Sequence, residues 1–209
     1  MKIAKEGYRF IAAAGAAAAG ALLMGWSLVG SFLLLLALAM AAFFRDPDRI
    51  VPDGRGLIVA PADGKVVSIV TFKGAPPMPD ASTRISIFLS PLDVHINRMP
   101  VTGTIEEVQY QRGKFMAAYR DEASAQNEQN ALKIIAREGQ RFAVVQIAGV
   151  LARRIVCYPK RGDKLNRGDR FGLIMFGSRT DTYLPAECHV EVEEGQRVKG
   201  GETILGRFV

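Results

Sequence analysis

Met175 to Pro185 reads MFGSRTDTYLP, a glycine–serine pair set between an apolar run and a second strand-like run. A serine there is either a turn residue or a nucleophile. As a nucleophile it needs a base, because a neutral hydroxyl attacks poorly, and the Gly-x-Ser-x-Gly elbow of the hydrolases is missing. The chain has only two histidines. His189, in AECHVEVEE, shares the polar side of an alternating run with Glu187, Glu191 and Glu193, the pattern of a solvated strand face. His95, in SPLDVHINRMP, follows a strand end at a Ser-Pro break and lies two residues from Asp93. That position suits a catalytic base mounted on a loop, or a structural histidine bonded to Asp93. Asp63, in PADG, reads first as a turn aspartate capping backbone N–H groups. Cys157 and Cys188 have neither metal-ligand spacing nor the density of a disulfide framework, and read as buried free thiols in a reducing compartment.

The elements that must position these residues are mostly short strands. GLIVAPADGKVVSIV gives two apolar runs around a turn, and RISIFLS alternates with Ile85, Ile87 and Leu89 on one face. FAVVQIAG and RRIVCY are two further runs. One helix is expected within Lys114 to Arg137, where DEASAQNEQNA is polar enough to be exposed. GDKLNRGD (162–169) and GQRVKGGE (195–202) repeat Gly-x-basic-[Leu/Val]-x-x-Gly-acidic at an offset of 33 residues. Each glycine permits a tight turn and each Leu or Val plugs a shared core. The expected fold is therefore mainly β, a barrel-sandwich hybrid like that of lipoyl and biotinyl domains, with one short helix.

Ahead of this domain, Ile11 to Phe44 is 34 residues without a charge. As one helix it would be about 50 Å long against a hydrocarbon core of about 30 Å. Lys2, Lys5 and Arg9 precede it and Arg45 and Arg49 follow it. Either one steep span uses only part of it, or it forms a hairpin broken near Gly25 to Gly30; basic flanks on both sides favour two cytoplasmic ends and hence the hairpin, with arms short for full spans. The run is too long for the apolar region of a cleaved signal peptide. RDPDRIVPDGRG (45–56) reads as a linker, dividing a membrane-associating segment (1–50) from a β-rich domain (51–209) facing the cytoplasm. The net charge of +6, from 27 Lys+Arg and 21 Asp+Glu, suits anionic lipid or an anionic substrate. No basic run interleaved with aromatics points to nucleic acid.

Taken together, FFRDPDR, VAPADGKV, FLSPLDVHINRMPVTG, NEQN and FGSRTDTYLP, in that order and spacing, resemble the phosphatidylserine decarboxylase proenzymes, in the short form of bacteria and archaea. The resemblance covers nearly the whole chain. It implies self-cleavage between Gly177 and Ser178 into a β chain (1–177) and an α chain (178–209) that stay together as a heterodimer, and it allows a homo-oligomer. The hydroxyl of Ser178 would attack the Gly177 carbonyl, with His95, oriented by Asp63, as base. Elimination and hydrolysis would leave a pyruvoyl group at position 178, the only cofactor, with no metal. That group would form a Schiff base with the amine of phosphatidylserine, release CO2 and leave phosphatidylethanolamine. Long-form members carry two histidines three apart where this chain has His95 and Arg98. His95 would then serve both self-cleavage and decarboxylation, and Arg98 would grip the lipid phosphate or be a surface arginine. The resemblance gives NEQN no role. Three rivals fit parts of the chain: a membrane-anchored lipoyl-like adaptor, a carrier domain modified at Lys65, and a serine hydrolase. A pyruvoyl decarboxylase acting on a soluble amino acid is a fourth.

Overall fold

The computed structural model describes residues 2–72, 74, 77, 78, 80–116, 118, 126–150, 154–175 and 177–208. The chain divides into two compact units, 1–48 and 49–209.

In the first unit, Lys2–Ile3 (β1) pairs antiparallel with Arg45–Asp46 (β2), and between them lie two helices, Tyr8–Leu23 (α1) and Ser27–Phe43 (α2). Alanine and leucine favour the helix, and the uncharged run offers nothing to stop it. What stops α1 is Gly25, at φ 80°. There the amide of Trp26 donates to the Ala21 carbonyl and that of Gly25 to Leu22, the paired bonds of a Schellman cap. The break falls at the near edge of the expected interval. Gly30 stays inside α2 and serves packing, since a Cβ there would lie 2.5 Å from the Leu22 side chain. Phe10 stacks on Phe44, so the two helices run antiparallel. At 16 and 17 residues, neither is long and apolar enough to cross a membrane, nor is any other helix among the described residues.

The second unit is built of strands: Leu57–Val59 (β3), Gly64–Thr71 (β4), Ala81–Leu89 (β5), Ile96–Arg98 (β6), Gly103–Gln111 (β7), Gln129–Ala136 (β8), Arg141–Ile147 (β9) and Ile155–Cys157 (β10). Lys164–Leu165 (β11), Arg170–Ile174 (β12), Ser178–Pro185 (β13), Cys188–Val190 (β14), Arg197–Val198 (β15) and Ile204–Phe208 (β16) complete it. Eight strands form one antiparallel sheet in the order β11-β7-β8-β9-β13-β5-β4-β15, flanked by the sheets β10-β12-β6 and β14-β16-β3. One apolar cluster draws Ile85, Ile87, Leu132, Ile134 and Val144 from the large sheet, Phe171 from one small sheet and Ile58 and Leu205 from the other. The large sheet therefore curls as a half-barrel around this cluster. The domain is mainly β, as expected.

The helix expected within Lys114 to Arg137 is overturned over its second half, which is β8. There QNALKIIA alternates, sending Leu132 and Ile134 to the core while Lys133 pairs with Glu107 across the sheet. A strand face of this kind, wet on one side, mimics a polar helix in composition. Residues 119–125 lie outside the described residues. The repeat behaves as read: Gly162 and Gly195 have φ 92° and 91°, and Gly168 and Gly201 have 83° and 78°. Leu165 and Val198 meet the same core. The linker belongs to the β unit from Arg49 on. Arg167 holds it by donating to the carbonyls of Pro52, Gly54 and Leu57.

Candidate active site

Three adjacent strands bring the sequence-selected residues to one end of the half-barrel. Lys65 pairs with Phe88, and Ser178 with Leu89. The start of β4, just after Asp63, and the start of β13, at Ser178, thus flank the end of β5, about 10 Å apart across it. The loop that leaves β5 runs through Asp93 to His95, whose carbonyl faces the amide of Ile174 at the end of β12.

Ser178 is fully buried, and its Oγ has no hydrogen-bond partner among the described residues. A buried hydroxyl left unmatched costs about 1–3 kcal/mol, so its retention calls for a chemical reason. Gly177 stands at φ 62°, a left-handed conformation that other residues resist. Its carbonyl oxygen lies so close to Gly149 that a Cβ on residue 149 would be 2.1 Å away. The peptide bond between 177 and 178 is therefore held on both sides, by a strand register and by a glycine cradle.

His95 is buried, with Nδ1 2.9 Å from the Asp93 carbonyl oxygen. That oxygen can only accept, so Nδ1 carries a proton, and in the neutral ring Nε2 is then the lone pair a base requires. The Asp93 side chain fixes the turn, accepting from the Ser90 amide at 2.8 Å and from Arg197 at 2.9 Å. Burial opposes its ionisation, but the Ser90 bonds and the Arg197 guanidinium outweigh it and hold its carboxyl below the ordinary carboxylate value.

Asp63 is engaged elsewhere. One oxygen pairs with Arg49 at 2.7 Å and the other accepts from the Gly200 amide at 2.8 Å, and no hydrogen bond joins it to His95. Arg98 is buried, donating to the Gly168 carbonyl at 3.1 Å, so the surface arginine considered above is excluded. His189 lies exposed on β14, as its alternation predicts. Lys65 sits inside β4 and not at a hairpin tip, which removes the carrier-domain geometry. Both cysteines are free and half-buried. Burial, helped by Glu187, pushes the Cys188 thiol up to about 12, and burial raises Cys157 too.

Four residues that sequence reading passed over support this end. Asn127 of NEQN is fully buried and donates to the carbonyls of Met116 and Ala148, pinning the residue before Gly149. Arg179, on the opposite face of β13 from Ser178, is clasped by both oxygens of Asp181, at 2.6 and 3.1 Å, and donates to Ser86. Asn130 and Gln146 form a buried amide chain with Asn97. A glutamine inside the apolar run FAVVQIAG was the available signal.

The model of the phosphatidylserine decarboxylase family matches residues 36–206. A phosphatidylserine decarboxylase proenzyme of Geotalea uraniireducens is 44% identical, covering 98% of this chain and 95% of its own. One from Symbiobacterium thermophilum is 46% identical over 99% of this chain and 95% of its own. Another, from Granulibacter bethesdensis, is 52% identical over 78% of this chain and 68% of its own. With a match of this extent, spanning Asp63, His95 and Ser178, the chain belongs to the phosphatidylserine decarboxylase family.

Proposed function

We propose that this chain is a proenzyme that cuts its own backbone between Gly177 and Ser178 and then converts phosphatidylserine to phosphatidylethanolamine and CO2. The observation that carries the reading is the state of that one peptide bond. Its serine hydroxyl is buried and unmatched, and its carbonyl is cradled by Gly149, in a chain matched to the family almost end to end.

In this reading Ser178 Oγ attacks the Gly177 carbonyl carbon while Nε2 of His95 takes the hydroxyl proton and returns it to the departing amide nitrogen. The Asp93 carbonyl, which accepts from Nδ1, favours the imidazolium formed meanwhile. Removal of the Ser178 Cα proton then breaks the Cβ–O bond and frees the Gly177 carboxylate. Water displaces the nitrogen of the resulting dehydroalanine as ammonia, leaving a ketone at the new N-terminus. The residues fit such a group, because Arg179, locked to Asp181 and Ser86, holds position 178 in place once the chain is open. A pyruvoyl group there supplies an electron-withdrawing carbonyl that takes the substrate's amine and accepts the electron pair released as CO2 leaves. Arg98 is the cation assigned to the lipid phosphate, a buried guanidinium attracting an anion more strongly than a solvated one. The paired turn units support a lipoyl-like reading of the β unit. The two helices, with Leu28, Phe32 and Leu35 exposed, support a shallow hairpin in the cytoplasmic face of the membrane.

Ser178→Ala tests the reading. The wild-type chain is expected to separate under denaturing conditions into residues 1–177 and a 32-residue α chain that gains the mass of a hydroxylamine adduct. It should also release labelled CO2 from carboxyl-labelled phosphatidylserine. The variant should remain one chain and release none. An uncut wild-type chain would return Ser178 to being a turn residue, and release from free serine instead would move the substrate to a soluble amino acid.

A further inference from the structure

Ser178, Thr180 and Thr182 point to the same face of β13, because side chains two apart in a strand share a side. All three are fully buried, and none of the three hydroxyls has a hydrogen-bond partner among the described residues. Their surroundings differ. Thr182 lies between Ile85 and Val144, in the apolar core. Thr180 lies opposite Gln146 on β9, and facing side chains of an antiparallel pair are about 5 Å apart at Cβ. Gln146 is itself engaged at both its oxygen and its nitrogen. Its oxygen accepts from Asn130 at 3.1 Å, and its nitrogen donates to Asn97 Oδ1 at 2.9 Å and to the Val156 carbonyl at 3.2 Å. That arrangement orients Asn97 with its oxygen occupied, and its Nδ2, fully buried, has no partner among the described residues. Gly172 leaves the room for this amide chain, since a Cβ there would lie 3.0 Å from Gln146 Nε2. The result is a polar strip in an apolar core, with a hydroxyl and an amide donor unspent beside the residue proposed to carry the chemistry.

We propose that this strip, Thr180 and Asn97 held by Gln146, is the pocket for the carboxylate of the serine headgroup. The assignment rests on the function proposed above. Thr180 is one strand period from position 178, about 7 Å at Cα. An amino acid joined through its amine to position 178 carries its carboxylate two bonds beyond that amine, within reach of a hydroxyl on the same face. The donor chemistry suits the reaction. Neutral donors orient a carboxylate without the ion pair that an arginine would form and that the departing CO2 would have to break. The strip also accounts for specificity, since a headgroup without a carboxylate leaves buried donors unmatched.

Thr180→Val removes the hydroxyl at constant shape, and Thr180→Ser restores it. In the self-cleaved protein, the KM for dioctanoyl-phosphatidylserine is expected to rise about tenfold in Thr180→Val, the worth of one hydrogen bond to a charged group, and to recover in Thr180→Ser. Dioctanoyl-phosphatidylethanolamine, which has the amine but no carboxylate, should protect the α chain from hydroxylamine, read by mass, at the same concentration in all three proteins. Equal losses for both lipids, or no loss for either, would overturn the assignment. A Thr180→Val chain that fails to split would also overturn it, placing Thr180 in self-cleavage. A wild-type α chain that takes no hydroxylamine would instead bring down the pyruvoyl reading and this one with it.

Discussion

The Gly177 carbonyl oxygen has its place only because residue 149 lacks a side chain. In the proposed self-cleavage, attack by Ser178 would turn that carbonyl from planar to tetrahedral, so its starting position would matter within about an ångström, and an error of that size costs about a hundredfold in rate. Gly149→Ala is therefore expected to fold, with the displaced carbonyl taking up the clash, and to split at least about a hundredfold more slowly. Densitometry of the uncut chain against time, with a urea melt to establish folding, reads it. Splitting at the normal rate would mean that the cradle does not act in the reaction. Ser178 and His95 stood out in the sequence only as candidates, Ser178 open between turn residue and nucleophile and His95 between base and structural histidine. The roles proposed for them came from the resemblance. Gly149 did not stand out: nothing in AGV distinguishes a glycine pressed against a carbonyl from one in an ordinary turn. The partner of His95 was half legible. The neighbouring Asp93 was weighed for it, yet it is the backbone carbonyl of Asp93 and not its carboxylate that bonds the ring.

Among the elements, the loop from Ser90 to His95 sets the alignment of the proposed base. It is tied down by one carboxylate that reaches back to the Ser90 amide and across to Arg197 on β15. Arg197 lies beyond the Gly177–Ser178 bond, so in the proposed cleaved form this ion pair would join the two chains. The Asp93 carboxyl is held below its ordinary 3.8 in the folded protein. A depressed carboxyl stabilises the fold fully above its unfolded value, and loses that contribution as pH falls through the folded value. The urea midpoint of Asp93→Asn is therefore expected to lie below wild type at pH 7 and 5 and to converge on it towards pH 3. A constant gap across that range would show that charge is not what Asp93 contributes. The strands themselves were largely legible, since Ile85, Ile87 and Leu89 alternate as a strand buried on one face must. β8 was not, because Gln129, Asn130 and Lys133 made its sequence read as a solvated helix. All three are spent on neighbouring strands, Gln129 on Gln111, Asn130 on Gln146 and Lys133 on Glu107.

At the scale of the whole molecule, the substrate sets the problem. A diacyl lipid offers its headgroup only at a bilayer surface, so an enzyme that floats free meets it rarely, whereas a tethered one meets it at high local concentration. Helices of 16 and 17 residues are about 25 Å long, shorter than a hydrocarbon core of about 30 Å. They suit an insertion that enters one leaflet and returns. Leu28, Phe32 and Leu35 are 87%, 66% and 66% exposed and recur at helical spacing on one side of α2, a stripe that water alone would not maintain. Replacing all three by aspartate is expected to leave splitting at Gly177–Ser178 intact, because no residue of the β unit changes. The variant should lose flotation with vesicles of phosphatidylserine and phosphatidylcholine. Its turnover of vesicle-borne phosphatidylserine should fall about a hundredfold, the scale of a lost tether. Turnover of dispersed dioctanoyl-phosphatidylserine should stay at the wild-type rate. Equal losses on both lipids would mean that the aspartates damage the site and say nothing for a tether, and wild-type flotation would assign the membrane contact to the β unit.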